Sequence, residues 1–388
     1  MALNVVSSDR LSTNVKTSNL ATGLSDKVGQ NKNLIINGAM KVAQRGTSET
    51  TTTGMHTVDR FTVGAGGQDE SPDQAQHALT SSDTGPWAKG FRYSWLITNG
   101  NQTGGAGAAD YMDVQHRIEA QNINQSGWDY TSASSYITLS FWIKSSVAQN
   151  FYGYLRSRDG TNQRYGFETG SLSADTWTKI TKTIPGNSNI QFDNDNGEGL
   201  RIAFTAFLGG DYTASGTNLN TWEAYSSSTI TPDQTSTWWT TNNATLEFTG
   251  FQLEVGDTAT EFEHRSYENE LIRCLRYYYR TGEGQSLASN SPLAQGWART
   301  ATLAQLTVTF PVPMRAAPAA IETTGTATDY DVSNVASGFS CTAVPTFDGA
   351  STTRANIYFT VGSGLTAGAG ARGVTDGAGK YIAFSAEL

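Results

Sequence analysis

Charge is what this sequence has least of. Only 16% of its 388 residues are Asp, Glu, Lys or Arg, where an ordinary globular chain has about a quarter, and the balance is −9. Wrapping nucleic acid takes a basic stripe, and none is visible. The densest basic cluster, Arg265, Arg273, Arg276 and Arg280, falls mostly late in one candidate helix, where cations complement the dipole. Cysteine is scarce too. Cys274 and Cys341 make neither a disulfide framework nor a zinc site. No apolar run approaches a membrane span, so no membrane insertion is expected. The start MALNVVSSDR lacks the basic opening and apolar core of a signal peptide, which leads us to expect synthesis in a cytoplasm and release by another route, such as lysis.

Catalytic signatures are equally thin. His56, His77, His116 and His264 show no HExxH or HxH spacing, and no GxSxG elbow or P-loop occurs. Gly368, Gly370 and Gly373 satisfy GxGxxG, but no helix can follow through GVTDGAGK, and a dinucleotide site requires one. Asp110, Asp113 and Glu119 lie close in sequence, although glycosidase carboxylates are paired by folds, not by spacing. The chain is expected not to be an enzyme and to need no cofactor.

Ser, Thr, Asn and Gln fill the place of the missing charge, and 9 Trp, 16 Tyr and 16 Phe demand burial. The apolar pattern is that of strands. YITLSFWIK puts Ile137, Leu139, Phe141 and Ile143 on one face, a period of two. LRIAFTAFL repeats it at Leu200, Ile202, Phe204, Ala206 and Leu208. TLEFTGFQLEV begins with Leu246 and Phe248, then changes phase after Gly250 to Phe251, Leu253 and Val255, as a β-bulge would. Such strands, separated by Gly/Asn/Ser-rich connections, predict an antiparallel sandwich. One helix is predicted, over 266–280, with Ser266 as its cap and Glu268 and Glu270 in its first turn. Beyond it strands are expected at 306–312, 356–361 and 381–384, and the glycine-rich stretch 362–379 reads as a loop.

Four blocks in order, NLIINGAMKVAQRGTS (33–48) with VDRF (58–61), LSFWIKSS (139–146), GFQLEVGDTATEFEHRSYENELIRCLRYYYR (250–280) and FPVPMRAAP (310–318), give the chain a resemblance to phage tail-fibre proteins and carbohydrate-binding-like virion modules. The resemblance covers most of 33–318. It implies a mostly β protein: a jelly-roll β-sandwich, one linking helix, then a smaller C-terminal β-sandwich-like domain. It also implies a virion location and assembly as a homotrimer. The domain expectation is an N-terminal arm over 1–32, a jelly-roll over 33–265, and helix plus β-domain over 266–388. The arm, weak as a helix on its own, would bind other phage virion proteins. The expected function is a virion structural protein that contributes to host-surface or glycan recognition. A purely architectural capsid, head-fibre or tail-assembly protein and a glycan depolymerase are the alternatives.

Two stretches are candidate sites. The loop-rich region 209–244 carries Tyr212, Trp222, Tyr225, Trp238 and Trp239 among small polar residues. Sugar rings stack on exposed aromatic faces while hydroxyl groups take amide and hydroxyl partners, so Trp238, Trp239, Tyr225 and Tyr212 are candidate glycan contacts. Trimer contact or simple packing would explain the same residues. Trp142, lined up with Tyr152 and Tyr154, would form a second stacking surface or a subunit interface. DNDNGEG (193–199) opens like a calcium loop, with Asp193, Asp195 and Glu198 as donors, although the glutamate that closes such a loop is absent. A plain turn into the next strand is the alternative.

Overall fold

The computed structural model describes residues 32–282, 291–334, 337–376 and 379–388. The expected attachment arm, apart from Lys32, lies outside the described residues.

The first twelve strands are β1 (Ser48–Glu49), β2 (Phe61–Gly66), β3 (Asp73–Ala78), β4 (Tyr93–Thr98), β5 (Tyr111–Glu119), β6 (Tyr136–Ser145), β7 (Asn150–Ser157), β8 (Gln163–Ser171), β9 (Thr178–Pro185), β10 (Glu198–Leu208), β11 (Trp222–Ala224) and β12 (Thr245–Val255). They form two six-stranded sheets, in the orders β1-β3-β4-β12-β6-β9 and β11-β8-β7-β10-β5-β2. Non-consecutive neighbours joined antiparallel make this a jelly-roll sandwich. Its core is the one that alternation predicts except at the end of β10, where a register shift between Thr205 and Phe207 puts Phe207 in this core and Leu208 in a separate cluster. Ile137, Leu139, Phe141 and Ile143 of β6 meet Leu200, Ile202, Phe204 and Ala206 of β10, all buried. Each buried apolar side chain of this size contributes about 1.5–3 kcal/mol.

Gly250 does what the phase change requires. It stands at φ 68°, a region open to glycine, and the β12–β6 register shifts between Thr249 and Gln252. Phe248 and Phe251 therefore both point inward, and Phe251 stacks on Phe141 with ring centroids 4.8 Å apart. Val255, expected inward, is 41% exposed, because the strand has run past the edge of the core.

After the sandwich comes the main helix, Tyr267–Leu275. Ser266 caps it, accepting from the Asn269 amide at 3.3 Å. The helix is shorter than predicted, since Tyr278–Thr281 is strand β13, paired with Phe384 and its neighbours. The remaining strands are β14 (Ser291–Ala298), β15 (Leu303–Thr309), β16 (Glu322–Thr323), β17 (Tyr330–Ser333), β18 (Gly338–Ser340), β19 (Thr346–Ala350), β20 (Arg354–Thr360), β21 (Gly370–Thr375) and β22 (Ile382–Ser385). A seven-stranded sheet, β18-β17-β21-β14-β15-β20-β19, and a three-stranded one, β13-β22-β16, share a second core around Leu306, Ile357, Phe359, Tyr330, Ile382 and Phe384. The expected loop over 362–379 is corrected in part by β21, which runs through its middle. Cys274 and Cys341 are both buried and free, in different apolar clusters.

Two of the four sequence blocks, 33–48 with 58–61 and 250–280, meet at one buried polar joint. Asn33 donates to the Phe251 carbonyl at 2.9 Å and accepts from the Leu253 amide at 3.1 Å, which ties the chain start to the bulge. Gly38 lies so close to that bulge that a Cβ would come 2.0 Å from the Phe251 carbonyl oxygen. Asn37, at φ 62°, satisfies the carbonyls of Val42 and Asp59, and its own amide donates to Glu270 of the helix at 2.6 Å. Arg265 donates to the carbonyls of Asn33 and Ile35. Arg60 pairs with Glu387 and lies 3.5 Å from the Tyr277 ring centroid. The joint links sandwich, helix and chain end, and its polar groups point inward.

Candidate functional site

The two outer faces of the jelly-roll differ. That of the first sheet is packed over by Trp87, Trp142, Trp177, Phe91 and Phe262. Trp142 is therefore on the opposite side of the sandwich from Tyr152 and Tyr154, and the expected surface combining them does not exist.

The outer face of the second sheet is laid out by register. β5, β10 and β7 place Asp113, Thr205 and Tyr152 in one row, Gln115, Ala203 and Tyr154 in the next, and Arg117, Arg201 and Arg156 in the third. Small residues occupy the middle strand of the first two rows. The edge strand β2 sets Gly64 opposite Asp113 and Gly66 opposite Tyr111. A Cβ at Gly64 would sit 2.5 Å from an Asp113 oxygen, and one at Gly66 would sit 2.4 Å from the Tyr111 ring. Both side chains thus lie across the strand where it has no side chains of its own.

Onto this face the 209–235 connection brings the two predicted tyrosines. Tyr212 meets Tyr111 edge-on at 5.5 Å, and its hydroxyl donates to the Ala109 carbonyl at 3.3 Å. Tyr225 lies beneath the Arg156 guanidinium, 3.4 Å from it. Tyr111, Tyr152, Tyr212, Tyr225 and Arg156 are all half-buried. Ile230 and the buried Tyr154 fill the floor between them.

Charge on this face is concentrated and mostly matched. Arg201 grips Glu198 with two hydrogen bonds of 2.6 and 2.9 Å, and Arg158 stands 3.6 Å from the same carboxylate. Burial is the largest influence on Glu198 and would raise its pKa, but the Arg201 bonds and the surrounding arginines more than offset it and hold the carboxyl below its usual range. Asp113 goes the other way. Burial pushes it up to about 6, against the lowering effects of Gln115, Arg201 and Arg117. Its two oxygens share the Gln115 amide at 2.9 Å each. Stacking rings, phenol hydroxyls, an amide and guanidinium groups together suit a hydroxyl-rich ligand.

The other predicted site residues fall elsewhere. Trp238 and Trp239 are a correction: both are 0% exposed and cannot stack on a sugar. A short helix, Thr237–Thr240, turns successive side chains by about 100°, so both indoles enter the core where a strand would have pointed them apart. Their Nε1 groups donate to the carbonyls of Thr245 at 3.1 Å and Gly105 at 2.8 Å. The calcium reading is corrected as well. Glu198 is held by Arg201, an Asp195 oxygen accepts from the Gly197 amide at 2.8 Å, and an Asp193 oxygen accepts from Gln191 at 3.0 Å. Among the described residues no three acidic, His or Cys side chains are gathered to hold a metal; the stretch is a turn into β10. Asp113 and Glu119 are six residues apart along one strand, roughly 20 Å. That is too far for a glycosidase pair, and Glu119 is clamped by Arg276 and Tyr277.

Sequence reasoning missed Tyr111, Arg156 and Arg201 as members of this face. The signal was present in YMDVQHRIE, where Tyr111, Asp113, Gln115 and Arg117 alternate with core residues. Another concavity, two adjoining hollows of about 460 and 470 Å³, shares Gln121, Asn122, Gln125 and Arg273. It offers amides but no exposed ring.

No protein-family model and no curated protein matches the chain. Solved structures similar to it include the enzymatically active domain of tailspike protein 4 of bacteriophage CBA120, at 8% identity and a TM-score of 0.30, over 58% of this chain and 22% of that one. Another is the N-terminal cellulose-binding domain of β-1,4-glucanase C from Cellulomonas fimi, at 12% and 0.26, over 56% and 99%. A third is the family 11 carbohydrate-binding module of Clostridium thermocellum, solved with a mixed-linked tetrasaccharide, at 12% and 0.25, over 56% and 99%. The chain thus spans less than a quarter of the tailspike domain.

Proposed function

We propose that this protein is a non-enzymatic phage virion appendage, a tail fibre or similar, that holds host-surface glycans on the outer face of the second jelly-roll sheet. The observation that carries the glycan reading is the delivery of Tyr212 and Tyr225 onto that face, beside Tyr111 and Arg156. The virion reading rests on the four ordered sequence blocks. In this reading residues 1–32 attach the chain to other virion proteins, the jelly-roll is the body, and 266–388 is the outer end. Three copies multiply weak contacts through avidity.

The test is adsorption of purified protein to host cells and to a glycan array, with the wild type beside Tyr225→Ala and Tyr212→Ala. Loss of binding by at least tenfold in the variants, with unchanged thermal unfolding, is expected. Binding that survives both substitutions overturns the assignment to this face. Tight particle binding with no cell or glycan binding favours the architectural alternative. Release of reducing ends from host polysaccharide would replace the reading with depolymerase activity.

A further inference from the structure

Of the nine tryptophans, one stands in the open. Trp297 is 48% exposed, while Trp87, Trp142 and Trp177 are packed against a core cluster and the other five are buried. It projects from β14 on the outer face of the seven-stranded sheet, opposite the buried Ala298, Ala304 and Phe359. Register defines its surroundings. Across the sheet one row reads Gly370, Trp297, Gln305, Tyr358 and Thr346. The adjacent row reads Ser333, Arg372, Gln295, Thr307 and Asn356.

We propose that this face is a second glycan-binding site, in which Trp297 and Tyr358 stack on two pyranose rings of an extended, neutral β-linked chain. Three features select that ligand. The two rings lie two strands apart, about 10 Å, a span that linked pyranoses bridge. The flank of the indole is clear, since Gly370 lies directly beside it and a Cβ there would meet nothing within 4 Å. Hydrogen-bonding groups surround the rings: the Gln305 amide donates to Asp348 at 2.7 Å and Arg299 donates to the Tyr358 hydroxyl at 2.6 Å, while Gln295 and Arg372 are exposed beside them. A protein partner would want a contiguous apolar patch of several hundred Å². Here one indole stands among amides and guanidinium groups, which suits the polar edge and apolar face of a sugar. The site is separate from the tyrosine face of the jelly-roll and does not rest on it.

The test uses the full chain with two soluble probes, cellohexaose and chitohexaose, and reads acrylamide quenching of tryptophan fluorescence together with titration calorimetry. At least one hexasaccharide should shield the exposed indole from acrylamide. Trp297→Ala should weaken its binding at least tenfold, and Trp297→Phe should retain part of it. Gly370→Leu, which fills the clear flank while leaving the indole in place, should also weaken binding. Failure of both hexasaccharides to shield the indole overturns the inference. So does loss of binding in Tyr225→Ala with none in Trp297→Ala, which would put the glycan on the jelly-roll alone. A drop in sedimentation mass in Trp297→Ala overturns it as well, since a second copy would then cover this face.

Discussion

The joint around Asn33, Asn37, Arg60 and Glu270 and the face around Tyr111, Tyr212 and Tyr225 use the same polar vocabulary for opposite ends. In the joint nearly every donor and acceptor is turned inward. Asn37 alone bonds the backbone of Val42 and Asp59 and the side chain of Glu270, and the group is fully buried. On the second sheet the rings and Arg156 stay half-buried, with edges toward solvent. Two of the four sequence blocks, 33–48 with 58–61 and 250–280, map to the joint, and the aromatic loop 209–235 maps to the face. The same residue types thus fix the fold where they are enclosed and satisfied, and stay open to contact where they are half-buried.

If that division holds, substitutions in the joint should unfold the protein and those on the face should not. The largest effect is expected from Arg60→Ala. It strips a buried cation from Glu387 and from the face of Tyr277, and removing one partner of a buried pair costs about 3–5 kcal/mol. Urea unfolding would measure it, and a loss below about 1 kcal/mol would show that the joint is not what holds the parts together. Next in size, and opposite in sign, is Asp113→Asn. Asp113 is raised from 3.8 to about 6 by burial, so at intermediate pH the folded chain keeps a proton that the unfolded chain has released. The stability from this group is complete below about pH 4 and is lost as pH rises through about 6. Asn removes that loss, and stability at pH 7 should rise by ~2–3 kcal/mol. Asp59, also raised to about 6 by burial, acts in the same direction. The stability slope between pH 4 and 6 should therefore shrink in the variant without vanishing; an unaltered slope would mean that Asp113 is ionised in the folded state throughout.

What could be read in advance follows the same line. Strand period placed Ile137, Leu139, Phe141 and Ile143 in the core and Gly250 at the bulge, because both are local statements about alternate faces. The helix end was hidden: apolar spacing continues through Tyr278, yet Tyr278 pairs with Ser385, a partner that no local pattern announces. β21 was hidden by its glycines, which carry no side-chain period. Gly373 has none because Leu306 and Phe359 occupy the space, 2.7 Å from where its Cβ would be. Of the predicted ligand residues, Tyr212 and Tyr225 reached the face while Trp238 and Trp239 entered the core. Composition marks a loop as aromatic, but only the one-turn helix at Thr237–Thr240 decides which rings it hides.

Smaller effects sharpen the contrast. Ser266→Ala removes the helix cap and should cost about 1 kcal/mol, read in the same urea experiment. It tests whether the helix is held by its cap or, as the joint implies, mostly by Glu270 and Arg265; a loss above ~2 kcal/mol would favour the cap. The smallest change in stability is expected at Tyr225→Ala. The ring is half-buried and its main partner is the Arg156 guanidinium stacked on it, a contact of about 0.5–1 kcal/mol at a partly exposed site. Unfolding should move by no more than that, whereas glycan or cell binding should fall at least tenfold. A ring kept for packing gives the reverse: its removal would cost 3 kcal/mol or more, as aromatic truncations in cores do, with binding unchanged per folded molecule. The ratio of the two readouts at this one residue therefore decides whether the second sheet's outer face is a surface for a ligand or a continuation of the core.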